Sequence, residues 1–308
     1  MSTTAIYHKS DFDGIFCREI ARKFLPHAEL IGWEYGEPEP VVPRDANLYI
    51  LDLSVPGLMD HPRLVWIDHH ASAIAKYPAS IPGYRIDGVA ACRLAWHWFT
   101  ADARLKEQSL SPEKHAEWMA KYPLANKQDF IDRKLNEPLA VQLAGEYDVW
   151  DKRDPKAELF QHGLRSRELN ENMWDLLLVP QDSHPDGVVD CGTITVRALL
   201  EAGEAIAYAA TEHNAKVIAN NGFTVQWEGL TFLACNNGSY NSHLFTAGIK
   251  PEHDALLGFT MRANRKWTVS LYGVPGKPDI DLAAIAVKHG GGGHKQACGF
   301  ACDVLPFI

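Results

Sequence analysis

Apolar positions along this chain fall into short β-rich runs and longer stretches of helical period. Ala5-Ile6-Tyr7-His8, Glu29 to Trp33, Leu48 to Leu53 and Leu64 to Ile67 are four such short runs. Ile15 to Leu25 carries apolar residues at helical spacing and stops at Pro26. The alternation predicts an α/β fold with a mainly parallel sheet and helices on both faces. Tyr84-Arg85-Ile86-Asp87 reads as a short strand feeding a helix whose first turn, Gly88-Val89-Ala90, is small enough for close packing.

Residues 105–147 read as helical, with a start at Ser111-Pro112-Glu113. Helix and loop follow to 190, including a turn at 181–187 that holds His184, which reads as a surface residue. Residues 193–219 form one long helical pattern rich in Ala. Beyond it, Glu228-Gly229 between two β-rich runs is a hairpin signal, and Ala263-Asn264-Arg265 marks a second hairpin. Asn241 to Leu244 starts a short helix, and Asp279 to Lys288 reads as a helix capped by Asp279. The expected organisation is a larger domain over 1–190, a linker helix over 191–220, and a smaller α/β domain over 221–308.

Three strands end in metal-ligand chemistry. The first runs into His8, Asp11 and Asp13, with a helix beginning near Gly14, and an extended turn there could aim Asp11 and Asp13 at one pocket. Another ends at Asp52, and the Leu64 to Ile67 run ends in Asp68-His69-His70. A single strand-end Asp is usually a turn former or helix cap. Three strands ending alike in acids and imidazoles point to divalent metals, held in the crevice at the carboxyl edge of the sheet. Near the other terminus, His289 is followed by Gly290 to Gly293 and His294. Four glycines in a row exclude a regular helix or packed strand on this reading, and leave backbone amides open to phosphate oxygens.

These motifs resemble those of the DHH phosphoesterase superfamily. His8-Lys9-Ser10-Asp11-Phe12-Asp13-Gly14, Asp52 and Asp68-His69-His70 look like its first three motifs, in order. Gly145 to Asp151 looks like the fourth, in which an acid after a helix completes the metal cluster. Asp148 is the choice here, with Glu146 and Asp151 as rivals. The Gly-rich run resembles the Gly-Gly-Gly-His motif of the DHH-associated substrate domain. The resemblance covers nearly the whole chain, although His8 precedes Asp11 by three residues where several subfamilies leave four.

The resemblance implies two divalent ions, commonly Mn²⁺, with Mg²⁺ or Co²⁺ as alternatives. His8, Asp11 and Asp52 would hold the first; Asp13, Asp52, His69 and Asp148 would hold the second. The ions would activate a water for in-line attack on phosphorus. His70 would contact the phosphate or help protonate the leaving oxygen, and Asp68 would orient a histidine. Gly291, Gly292, Gly293 and His294 would bind the phosphate or nucleotide moiety, in a cleft facing the metals. Asn241, Ser242 and Arg262 are looser candidates for polar substrate contacts. Relatives often carry Arg-Ser where this chain has Tyr272-Gly273, which leaves the substrate class open.

Composition narrows the activity. The chain has 308 residues, 46% apolar, with a net charge of −9. An acidic chain is a poor grip for long nucleic acid. Short oligonucleotides, dinucleotides or nucleoside bisphosphates are therefore the expected substrates, with no stable complex with long nucleic acid. A RecJ-like exonuclease, a pyrophosphate or polyphosphate hydrolase, and a catalytically silent nucleotide-binding module remain as alternatives. Six cysteines without a Cys-x-x-Cys pair read as reduced, buried thiols. No apolar run spans a bilayer and no signal sequence opens the chain, so a cytoplasmic protein without a membrane partner is expected, as monomer or homodimer.

Overall fold

The computed structural model describes residues 2–107, 126–132, 136–149, 153–180, 191–238, 240–277 and 280–308. The Ser111-Pro112 helix start, the 181–187 turn with His184, and Asp151 and Asp279 lie outside the described residues. The chain divides into two compact units, 1–205 and 206–308.

In the first unit, β1 (Thr3–His8), β2 (Glu29–Trp33), β3 (Asn47–Leu51) and β4 (Leu64–Ile67) form a four-stranded sheet in the order β2-β1-β3-β4. All its pairings are parallel. Alternate side chains define its faces, as period-2 runs require. Ala5, Leu51 and Ile67 pack beneath helices α1 (Phe12–Phe24) and α3 (Ala91–Glu107), and α5 (Leu139–Asp148) packs on those two helices. Between them in sequence come α2 (Ala71–Lys76) and α4 (Lys127–Asp132). Phe160 of α6 (Lys156–Arg165) and Trp174 of α7 (Glu171–Leu177) extend that core.

The opposite face differs from the expected helical layer. Ile6, Leu48, Ile50, Leu64 and Trp66 are sealed by Val42, Ala46, Leu53, Val55 and Met59 from connecting segments, and by Ala73 of the short α2. Among the described residues, apolar side chains on loops bury that face without a long helix, and Trp66 Nε1 donates to the Leu53 carbonyl at 2.8 Å. Tyr84 to Asp87 is likewise no strand: it contributes one bridge, Arg85 to Asp68, that prolongs β4 toward its carboxyl end. The Arg85 guanidinium is occupied by four backbone carbonyl contacts, to Trp66, Ala79, Ile81 and Pro82.

Helix α8 (Cys191–Asn221) runs across the division at 205 and 206. The second unit is built on a six-stranded mixed sheet in the order β5-β6-β7-β8-β10-β9. Its strands are β5 (Gly222–Trp227), β6 (Leu230–Asn236), β7 (Ala255–Met261), β8 (Trp267–Gly273), β9 (Gly292–His294) and β10 (Ala297–Cys302). Glu228 and Gly229 both take positive φ, 50° and 76°, which matches the twist of the β5–β6 hairpin. Helix α9 (Leu282–Lys288) covers one face through Leu282 and Ala286. Its N-cap is Asp281, whose side chain accepts from the Ala284 amide.

The glycine run corrects a sequence expectation. Gly292 to His294 is a strand, paired antiparallel with Ala297 to Gly299 at the sheet edge. A short edge strand needs few side-chain contacts, and close packing demands glycine: a Cβ on Gly291 would stand 2.1 Å from the Gly299 carbonyl oxygen. Among the described residues, no helix is long and apolar enough to cross a membrane.

Candidate metal centre

The sheet order places β2 and β3 on opposite sides of β1, so the carboxyl ends of β1 and β3 flank a topological switch point. The candidate ligands collect there. His8 ends β1. Asp11 follows in extended geometry as the N-cap of α1, its Oδ1 accepting from the Gly14 amide at 3.0 Å. Asp13 lies inside the first turn of α1, not on an extended turn. That turn can sit against β1 only because residue 14 is glycine: a Cβ would fall 1.9 Å from the His8 carbonyl oxygen.

Asp52 follows β3 with φ of 65°, a left-handed conformation that costs energy at a non-glycine residue. Its amide still pairs with the Ile67 carbonyl at 2.9 Å, so the turn redirects the side chain without leaving the sheet. Asp68 is fully buried beyond β4. Its Oδ1 accepts from the amides of His69 and His70, at 2.7 and 3.1 Å, and faces Nδ1 of His70 at 2.7 Å.

The ligand atoms converge on two adjoining points. Nδ1 of His8 lies 2.8 Å from Asp11 Oδ2 and 3.5 Å from Asp52 Oδ2. Nε2 of His69 lies 3.3 Å from Asp52 Oδ1, 3.3 Å from Asp148 Oδ2 and 3.6 Å from Asp13 Oδ2. Asp52 is common to both groups. Nδ1 of His8 and both oxygens of Asp52 are buried yet make no hydrogen bond. Orphaned buried acceptors are costly, and convergent carboxylates repel. A bound divalent cation relieves both, and a donor set of carboxylate oxygen and imidazole nitrogen without thiolate suits Mn²⁺, Mg²⁺ or Zn²⁺. The residues present therefore fit divalent metal.

The electrostatics follow from this crowding. Pairing with Asp11, and then with Asp52, raises His8 to about 11. Burial works against charge on His69, but Asp52, Asp13 and Asp148 outweigh it and raise the ring to about 10. Burial raises Asp13 to about 7, with Asp52 adding to it. Burial and the nearby Asp13 likewise bring Asp148 to about 7. Asp68 raises His70 above its usual value.

The three rivals for the fourth motif separate. Asp148, near the end of α5, faces His69. Glu146, two residues earlier, is buried and held by Arg93 at 2.9 Å and by Arg153. Asp151 is not among the described residues.

Two contributors went unnoticed in the sequence. The first is the start of α3: the amides of Ala91 and Cys92 donate to the two oxygens of Asp13, both at 2.8 Å. Unpaired amides at a helix N-terminus suit a carboxylate, and the small Gly88-Val89-Ala90 turn was the available signal. The other is Glu34, one residue past β2, whose Oε2 lies 3.2 Å from Nε2 of His8. No motif marks it.

The candidate substrate residues lie in the second unit and only partly meet. Gly292 and Gly293 line a shallow groove of about 490 Å³ with Thr268, Ser270 and Tyr272. Arg262 reaches its edge through Thr268, Nε to Oγ1 at 3.3 Å. Gly291 is packed against β10. His294 is exposed, opposite Ala297. Asn241 is spent on a cap, its Oδ1 accepting from the His243 amide at 3.0 Å, and Ser242 opens the 3₁₀ turn that it caps.

No family model matches the chain, and no curated protein does. Several solved structures do. The pGpG-specific phosphodiesterase PggH of Vibrio cholerae is 13% identical, with TM-score 0.51 over 98% of this chain and 93% of its own. The DHH domain of PF0399, of the s1p family of ribosomal proteins, is 13% identical, with TM-score 0.47 over 100% and 83%. RecJ of Thermus thermophilus, solved with Mg²⁺, is 15% identical, with TM-score 0.46 over 98% of this chain and 47% of RecJ. The likeness to PggH shows a shared fold across both units. The chain thus has a two-domain α/β fold shared with PggH, with the Asp-His-His motif at the carboxyl edge of its parallel sheet.

Proposed function

We propose that this protein is a metal-dependent phosphoesterase of the DHH superfamily, hydrolysing phosphoester bonds of short oligonucleotides, dinucleotides or nucleoside bisphosphates. The observation that carries the reading is the set of buried, unbonded ligand atoms on His8 and Asp52, converging with Asp11, Asp13, His69 and Asp148. The fold shared with a pGpG-specific phosphodiesterase supports the choice of short nucleotides, as does the net charge of −9.

In this reading His8, Asp11 and Asp52 hold one divalent ion, and Asp13, Asp52, His69 and Asp148 a second. When bound, the ions supply Lewis acidity toward the phosphoryl oxygens and an acidified water. The chain's own groups do the rest. The Ala91 and Cys92 amides favour the ionised form of Asp13 and aim it. Asp68 holds Nδ1 of His70, which leaves Nε2 of that half-exposed ring to donate to the phosphate or leaving oxygen. In the second unit, Gly292, Gly293 and Ser270 line the groove in which a phosphate would sit.

The test is hydrolysis in Mn²⁺ of a panel: dinucleotides, 5-mer and longer RNA and DNA, cyclic dinucleotides, nucleoside 3′,5′-bisphosphate and pyrophosphate. The Asp68→Ala/His69→Ala double variant serves as control. Cleavage confined to short nucleotides and lost in the variant is the expected result. Preference for long single strands, or for pyrophosphate, would replace the substrate assignment, and absence of turnover on all would remove the enzymatic one.

A further inference from the structure

We infer that Glu34 is a positioning residue for His8: it holds the Nε2 proton of the imidazole and thereby turns Nδ1 toward the metal point. The inference rests on the metal reading above and extends it to a residue outside every motif of the sequence. The geometry has three parts. First, the two ring nitrogens of His8 face different surroundings. Nδ1 meets Asp11 and Asp52 and makes no hydrogen bond; Nε2 meets Glu34 Oε2 at 3.2 Å. Once a cation displaces the proton from Nδ1, Nε2 carries the remaining proton, which the Glu34 carboxylate accepts. A carboxylate behind a metal-bound imidazole fixes both tautomer and ring plane.

Second, Glu34 is itself fixed. The register of β1 with β2 sets His8 against Trp33, and the Lys9 amide donates to the Trp33 carbonyl at 3.4 Å. The residue after Trp33 is thus delivered beside His8 by the parallel ladder. Its backbone amide donates to Glu37 Oε2 at 3.2 Å, while Glu37 pairs with Lys9 at 2.5 Å. Third, Ser10 donates its hydroxyl to the same Oε2 of Glu34. The carboxylate therefore bridges His8 and the loop that leads to Asp11. With Glu34 included, all four strands of the sheet end in a group that serves the metal point.

The experiment compares wild type with Glu34→Ala, Glu34→Gln and Ser10→Ala. Calorimetry measures Mn²⁺ affinity, and ¹⁵N-histidine NMR of the metal-free protein follows the Nε2–H of His8, assigned with His8→Gln. Glu34→Ala should weaken Mn²⁺ binding by about 10- to 100-fold and lose the slowly exchanging Nε2–H signal. Glu34→Gln retains an acceptor, so it should keep the signal and lose less affinity. Ser10→Ala should keep the signal, which separates imidazole orientation from loop anchoring. A protected Nε2–H and unchanged affinity in Glu34→Ala would overturn the inference. Failure of wild type to bind Mn²⁺ would instead remove the metal reading, and the NMR signal would still decide what orients His8.

Discussion

Asp68 grips His70 through a single oxygen: Oδ1 lies 2.7 Å from Nδ1 of the ring and also accepts two backbone amides, while the buried Oδ2 makes no hydrogen bond. The carboxylate is thus an orienting group for the imidazole. Asp68→Asn should leave metal affinity within about threefold of wild type but lower kcat by at least about tenfold, by weakening the hold on Nδ1. His70→Ala should lower kcat by about 10²- to 10⁴-fold, the range for a lost general acid. Equal loss of Mn²⁺ affinity and turnover in Asp68→Asn would contradict the division of labour.

Metal binding should release protons. Without metal, His8 and His69 stand near 11 and 10, so both are protonated at pH 7. A cation must displace those protons, and affinity therefore rises with pH. Calorimetry of Mn²⁺ binding at pH 7, in buffers of different ionisation enthalpy, should count about three protons released for a fully loaded centre: one from each imidazole and about half from each of Asp13 and Asp148, which stand near 7. Binding without proton release would show that the imidazoles are not ligands.

Asp52 takes a left-handed φ of 65° and sets its two oxygens 3.5 and 3.3 Å from His8 and His69. Asparagine tolerates the left-handed conformation and carries no charge. Asp52→Asn should abolish the rise in thermal midpoint that Mn²⁺ gives wild type. Thermal scans with and without Mn²⁺ check this, and an undiminished rise in the variant would remove Asp52 from the centre.

Gly14→Ala is expected to be severe. The new methyl would meet the His8 carbonyl, a backbone atom of β1 that cannot swing aside. A loss of about 3 kcal/mol or more is expected from such overpacking, read by guanidinium unfolding. A stable variant with native metal affinity would mean that α1 and β1 shift apart easily.

A buried histidine in the second unit should make stability fall in acid. His253 Nδ1 accepts from the Lys250 amide at 3.0 Å, and Nε2 lies 3.0 Å from Thr224 Oγ1. Burial lowers its pKa below 6.5. A depressed folded-state pKa contributes stability that is complete above the unfolded value and lost as pH falls through the folded one. Unfolding midpoints of the full chain should therefore decline below about pH 6.5, and less steeply in His253→Asn, which keeps an acceptor for the Lys250 amide. Identical slopes would assign the acid sensitivity elsewhere.

Much of this protein is written locally. Period-2 apolar runs announce β1, β3 and β4, because alternation follows from which sheet face is buried. The acids and imidazoles that end those runs are legible for the same reason: strand ends are local features, and His8, Asp11, Asp13, Asp52 and His69 do gather at one edge. Other outcomes depended on partners distant in the chain. Asp148 and Glu146 sit two residues apart on one helix and so face different sides; Arg93 and Arg153 take Glu146, and His69 is left to Asp148. Glu34 meets His8 only because the β1–β2 register sets Trp33 beside it. The glycine run became an edge strand because β10 was there to pair with it. Local pattern determines which groups a chain turns inward or brings to a strand end. Which of them then meet is decided by register and by charges held across many residues, and those exist only in the folded chain.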